Sequence, residues 1–145
     1  MILNREFDRL YHSNASQYEA TIILFDLDNF KFVNDHYGHL NGDKVLIELV
    51  QLFQPWMNEK SLLVRWGGEE FMVYQKNSNI QEAQALAEKL KEVLAQYVFE
   101  IGLKITCSFG VVSSKECENL DELLNKVDAR MYQAKKLGKN RIIST

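Results

Sequence analysis

The sequence is short of the residues that interrupt or cross-link a chain. Its 145 residues hold one proline, Pro55, so its elements are expected to be long and rarely broken. Only two cysteines occur, Cys107 and Cys117. Their spacing fits no zinc pattern and makes no disulfide framework, which favours a reducing, cytosolic setting. No apolar run approaches the ~18 residues of a membrane span, and Met1 to Leu10 does not read as a signal peptide. The chain itself is therefore expected to make no membrane contact and to be cytoplasmic, although a longer parent protein could be membrane-anchored. An excess of basic residues is missing too. The formal net charge of −3 argues against binding a nucleic-acid polymer, but leaves room for a compact site for one phosphate-bearing ligand. Repeats and low-complexity stretches are absent.

What is present is ordinary for a globular protein. Apolar residues make up 46% and charged residues 26%, enough for a single domain, residues 1–145, with one core. Thr21 to Phe25 is a nearly all-apolar run ending in acid and reads as a central strand buried on both faces. Leu40, Val45, Leu46, Leu49, Val50 and Phe53 fall at helical spacing. Leu62 to Trp66 and Phe71 to Tyr74 read as two strands. Gly67-Gly68-Glu69-Glu70 between them is a tight turn in which glycine is expected to supply a positive φ. Ala83, Leu86, Ala87, Leu90, Val93 and Leu94 form a second helical stripe. Leu103, Ile105, Cys107, Phe109 and Val111 alternate with polar residues, as in a half-buried strand. Leu120, Leu123, Leu124, Val127, Met131 and Ala134 make a last long helix, and Arg141 to Ile143 is a candidate for a short terminal strand. This order predicts an α+β, ferredoxin-like βαββαβ core with an additional C-terminal helix. In it the third strand lies between the first and second, so Asp26 and Asp28 come to lie beside Gly67-Gly68-Glu69-Glu70.

Several carboxylates brought together are costly unless a cation neutralises them, and an all-oxygen set selects Mg²⁺ or Mn²⁺ over zinc. Two such ions suit an in-line phosphoryl displacement. The plainer alternative is that Asp26 and Asp28 cap the following helix and that Glu69 and Glu70 are solvated. His36 and His39 suit a surface or packing role better than metal. Trp66 and Phe71 are expected to anchor the hairpin in the core. Arg65 could touch phosphate or pair with an acid, and the sequence does not choose.

Several blocks together resemble the GGDEF family of bacterial diguanylate cyclases. They are Phe25-Asp26-Leu27-Asp28-Asn29-Phe30-Lys31, Asn34-Asp35, Tyr37-Gly38-His39, Gly42-Asp43 and Arg65-Trp66-Gly67-Gly68-Glu69-Glu70-Phe71, the last in the GGEEF form. They continue with Thr106-Cys107-Ser108-Phe109-Gly110-Val111, Asp128-Ala129, Tyr132-Gln133-Ala134-Lys135 and Gly138-Lys139-Asn140-Arg141. The resemblance implies a nucleotidyl-cyclase, palm-like fold that condenses two GTP molecules into cyclic di-GMP, with two ions, Mg²⁺ or Mn²⁺, for each GTP. It implies that Asp26, Glu69 and the backbone carbonyl of Leu27 hold the metal. Glu69 or Glu70 would help deprotonate the 3′-hydroxyl. The amides of Asn29, Phe30 and Lys31 would cradle the β- and γ-phosphates, with Lys135 and Lys139 neutralising the triphosphate. Asn34 and Asp43 would read guanine.

Chemistry agrees with the last assignment. The Asp43 carboxylate can accept from the N1–H and amino group of guanine. Adenine would present a lone pair there, and a site of this kind can reject the wrong base by roughly 10⁴-fold. Taken alone, Asn34 could be any polar helical residue and Asp43 a helix N-cap. Lys135 and Lys139 could simply favour a helix C-terminus.

Three departures from the family pattern matter. Asn58-Glu59-Lys60-Ser61 stands where relatives carry Arg-x-x-Asp, so no inhibitory product site is expected. Only Asn4-Arg5 remains of the usual Asp-x-Leu-Thr-Gly-Leu-x-Asn-Arg opening. That suggests a domain edge truncated from a longer protein with an upstream sensory domain. Lys139 replaces the usual arginine and cannot make a bidentate phosphate fork, so weaker phosphate binding is expected. Catalysis would need a second copy of the domain in a transient homodimer. The main rival is a non-catalytic GTP-binding regulatory module acting through a partner domain. A structural adaptor without nucleotide and a cyclase using adenine are further alternatives, disfavoured by Asn34 and Asp43.

Overall fold

The computed structural model describes residues 2–12 and 18–145. Met1, at the expected truncated edge, lies outside them. The described chain runs α1 (Ile2–His12), β1 (Ala20–Leu27), α2 (Phe30–Tyr37), α3 (His39–Phe53), β2 (Ser61–Gly67), β3 (Glu70–Lys76), α4 (Ile80–Ala95), β4 (Cys107–Ser113), α5 (Leu120–Lys136) and β5 (Ile142–Ile143). The strands form one sheet in the order β2-β3-β1-β4-β5. All pairings are antiparallel except β4 with β5. The predicted placement of the third strand between the first and second is observed, and so is the terminal strand.

β1 is buried along its whole length, because helices cover both faces of the sheet. Ile23, Phe25 and Leu27 point into a core shared with α2, α3 and α4. Ile22 and Leu24 point the other way, toward α1 and α5. α4 and α5 start on true caps, the side chains of Asn79 and Asn119 accepting from the amides of Glu82 and Glu122 at 2.9 and 2.8 Å. Removing such a cap costs about 1 kcal/mol.

Several expectations need correction. The stretch holding Leu40 to Phe53 is preceded by a separate helix, α2, and Gly38 at φ 85° makes the break between them. Leu40 is 81% exposed: it lies in the first turn of α3, before the helix reaches the sheet. The fourth strand begins only at Cys107 and is buried on both faces, not half-buried. Leu103 and Ile105 precede it, and within it Ser108 and Gly110, which alternate with Cys107, Phe109 and Val111, are buried too. Gly67 and Gly68 do not adopt positive φ. The hairpin instead absorbs a register shift between Arg65 and Gly67. Trp66 is 41% exposed and meets Phe7 edge-on at 6.4 Å, whereas Phe71 is buried as expected. The sequence reading also missed α1, whose Leu3, Phe7 and Leu10 are buried against the sheet. No helix among the described residues is long and apolar enough to cross a membrane.

Candidate functional site

The site lies where five pieces of chain converge at one edge of the sheet: the end of β1, the β2–β3 turn, the start of β4, the start of α2 and the end of α5. The antiparallel register sets Asp26 directly opposite Glu70 on one side and Ser108 on the other. Asp26 is only 6% exposed. Its Oδ1 meets no hydrogen-bond donor in good geometry. What faces it is the ammonium of Lys135, 2.5 Å away. Burial pushes the Asp26 carboxyl up to about 6. Lys135 opposes the rise, and the charges of Glu69 and Glu70 add to it. Glu70 is raised as well, first by burial and then by Asp128 and Glu69.

Asp28 has a different job from the one its place in the acidic edge suggests. It is buried, and it neither caps α2 nor faces open solvent. One of its oxygens accepts from Thr106 Oγ1 at 2.6 Å and from the Asn140 amide at 3.0 Å; the other accepts from Ser108 Oγ at 2.6 Å. With its lone pairs used this way, Asp28 is an anchor that ties β1 to the start of β4 and to the loop after α5. Thr106, Ser108 and Asn140 had no assigned role in the sequence reading, since their common partner is far away along the chain.

That loop brings Lys139 to the start of α2, where its Nζ donates to Asn29 Oδ1 at 2.6 Å. Asn29 sits in the left-handed region at φ 59° and makes no side-chain cap, so its carboxamide is available to hold the lysine. The amides of Asn29, Phe30 and Lys31 open α2, and the first N–H groups of a helix have no intrahelical partners. Lys31 itself points outward and pairs with Asp35 at 2.9 Å.

A second part of the site is a cleft of about 430 Å³ lined by Asn34, His39, Asp43, Arg65, Glu69 and Glu70, with Phe30 and Leu46 as apolar walls. Its size is typical of a ligand pocket. Asn34 and Asp43, nine positions apart and on different helices, are therefore brought together with the two hairpin acids. Asp43 lies within α3, which starts at His39, and so it is not an N-cap. His39, an exposed residue, also lines this cleft. His36 stays outside, its ring stacked on Phe32 with centroids 4.0 Å apart. Arg65 lines the cleft, and its guanidinium donates to the Gly68 carbonyl, from Nε at 2.8 Å and from Nη2 at 2.5 Å, and so braces the turn. A larger neighbouring groove of about 620 Å³, between α3 and β2, shares Asp43 and Arg65 but is otherwise mainly apolar. It lacks the groups for phosphate chemistry. In the stretch before β2, Asn58 Oδ1 accepts from the Lys60 amide and from Ser61 Oγ, closing a local turn.

The donor set suits a hard divalent cation. Asp26, Glu69 and the Leu27 carbonyl supply oxygen only, and a cation already sits on Asp26 in the form of the Lys135 ammonium. Among the described residues, however, no three His, Cys, Asp or Glu side chains form a group able to hold a metal by themselves. A hard cation held by so few carboxylates would draw its remaining ligands from substrate phosphates and water.

An antiparallel β2-β3-β1-β4 core with acids at the end of β1 and in the β2–β3 turn defines a palm-like α+β domain of the nucleotidyl-cyclase type. A family model described as "Diguanylate cyclase, GGDEF domain" matches residues 1–141, and the chain belongs to that family. GGDEF diguanylate cyclases are metal-using enzymes. The chain is 36% identical to diguanylate cyclase DgcM of Escherichia coli K12, across 99% of its own length and 36% of the relative's. It thus spans little more than a third of that relative. Among solved structures it is similar to the active GGEEF domain of a diguanylate cyclase from Vibrio cholerae, with TM-score 0.80 and 34% identity, covering 87% of this chain and 82% of that one. It also resembles the diguanylate cyclase SiaD of Pseudomonas aeruginosa, solved with its activator SiaC, with TM-score 0.91 and 29% identity over 100% of this chain and 57% of that one.

Proposed function

We propose that this chain is a diguanylate cyclase domain that condenses two GTP molecules into cyclic di-GMP and two pyrophosphates. The observation that carries this reading is the antiparallel pairing that sets Asp26 against Glu70, which with Glu69 lines a cleft also holding Asn34 and Asp43. Nothing in a purely structural hairpin requires two acids there beside a buried, raised carboxyl.

The residues divide the work. Asn34 and Asp43 hold the guanine, the carboxylate accepting from N1–H and the amino group. The amides of Asn29, Phe30 and Lys31 receive the β- and γ-phosphates at the positive end of α2, and Lys139, steadied by Asn29, closes over them. Lys135 turns from Asp26 toward the incoming triphosphate. Asp26, Glu69 and the Leu27 carbonyl would hold two Mg²⁺ or Mn²⁺ ions, which when bound offset the charge that develops at the α-phosphate and activate the 3′-hydroxyl. Glu69 or Glu70 takes the proton of the 3′-hydroxyl; burial, Asp128 and Glu69 raise Glu70 above its ordinary value. Most of the acceleration comes from positioning. A single copy holds one GTP, so a second copy must present the other, and a transient homodimer completes the site. An upstream sensory domain in a longer parent would govern that encounter.

The test is incubation of the purified chain with GTP and Mg²⁺, with product resolved by chromatography. Cyclic di-GMP is expected from the native chain and a loss of about 10²-fold or more from Glu69→Gln and from Glu70→Gln. GTP bound tightly with no product at any protein concentration would reject the cyclase in favour of a GTP-binding regulatory module.

A further inference from the structure

We propose that Gly42 is a specificity-determining positioning residue, whose missing side chain is the space in which the Asn34 carboxamide is held for the base. The inference rests on the guanine assignment made above and extends it to a residue that touches no nucleotide.

Gly42 is buried within α3. Its backbone is not left-handed, so the chain conformation there does not call for glycine, and inside a helix glycine is less favourable than alanine. The reason for it lies in what surrounds it. A Cβ at this position would stand 1.9 Å from Asn34 Oδ1, 3.0 Å from Asn34 Cγ and 3.3 Å from Phe30 Cζ. The first separation is impossible, and the atom that must yield is the end of a side chain.

The break at Gly38 makes this closeness. The Gly38 amide donates to the Asn34 carbonyl at 2.9 Å, and the Gly42 amide donates to the Gly38 carbonyl at 3.0 Å. Two successive four-residue steps across the junction of α2 and α3 thus lay Gly42 over the Asn34 side chain. Phe30 closes the other side, leaving the carboxamide facing the cleft it shares with Asp43. Gly110 shows the contrast. There a Cβ would strike the backbone of α5, which cannot rotate away. At position 42 a methyl group is accommodated by turning Asn34, so the fold survives and base recognition does not. Hydrogen bonds weaken steeply with misalignment, so a displaced carboxamide is a lost one.

The experiment measures binding of GTP and ATP to the full chain by calorimetry, and steady-state kinetics with GTP, for the native protein, Gly42→Ala, Asn34→Ala and the double variant. Gly42→Ala is expected to melt at or above the native temperature and to bind GTP about tenfold more weakly. ATP binding, held through the phosphates, stays unchanged, and KM for GTP rises with little change in kcat. Asn34→Ala is expected to lose as much, and adding Gly42→Ala to it should cost nothing more. A native GTP-to-ATP ratio in Gly42→Ala, additive losses in the double variant, or an unfolded Gly42→Ala would each overturn the proposal. If the native chain shows no preference for GTP, or Asn34→Ala keeps the full native GTP-to-ATP ratio, the guanine reading itself fails and takes the proposal with it.

Discussion

Asp26 combines burial with a need for charge. Its carboxyl is raised from an ordinary 3.8 to about 6, mainly by burial. A raised acid binds its proton more tightly in the folded chain than in the unfolded one. The stability it contributes is therefore fully present below about 3.8 and is lost as pH rises through about 6. At neutral pH the folded protein carries a carboxylate in a site that disfavours it, and a cation relieves that. Protons and metal must then compete. The affinity for Mn²⁺ in the presence of a non-hydrolysable GTP analogue is expected to fall as pH drops through about 6, which calorimetry across pH 5 to 8 would read. An affinity that ignores pH would place the metal elsewhere.

At the scale of elements, the hairpin and the contact between α5 and β4 give opposite expectations. Arg65 is exposed and donates through Nε and Nη2 to the Gly68 carbonyl, so it shapes the turn without supporting the core. Arg65→Ala should leave the unfolding free energy within about 0.5 kcal/mol and lower cyclase turnover by roughly tenfold, because the acids lose their bracing. Loss of both in parallel would mean that the hairpin folds with the core. Gly110 lies where α5 rides directly on β4: a Cβ there would be 2.5 Å from both the Met131 amide nitrogen and the Val127 carbonyl oxygen. Gly110→Ala should destabilise the domain by about 1–3 kcal/mol, read by urea denaturation. A neutral result would show that α5 can slide on the sheet. α1 belongs to this scale as well. Through Phe7 it meets Trp66 and Tyr74 edge-on, at 6.4 and 5.8 Å, so the helix at the start of the chain packs against the strands that carry the hairpin.

At the scale of the whole molecule, the proposed two-copy reaction would be limited by encounter. Each domain bears a formal charge of −3 before any GTP is taken up, and in that proposed reaction the α-phosphate attacked belongs to another copy. Specific activity is therefore expected to climb steeply with protein concentration, and with salt at low ionic strength as like-charge repulsion is screened. Activity per molecule that is flat from nanomolar concentration upward would exclude the two-copy reaction.

The sequence by itself determined the elements whose cause is local. β1 is legible because an unbroken apolar run has only one comfortable place in a sheet, and α4 and α5 because their stripes repeat at the helical period. The order of those elements was enough to place β3 between β1 and β2 and so to bring Asp26 to the hairpin. Family resemblance pointed to Asn34 and Asp43. Tertiary structure alone decided what depends on partners distant along the chain. Asp28 looks like one more site acid until Thr106, Ser108 and Asn140, 78, 80 and 112 residues away, take its lone pairs. The bond from Arg65 to the Gly68 carbonyl exists only once the turn is formed, and α1 was missed because its stripe makes sense only once the sheet it covers exists. Gly42 gives no local signal at all: a helical glycine looks like a small loss of stability until the Asn34 side chain is seen in the space it leaves.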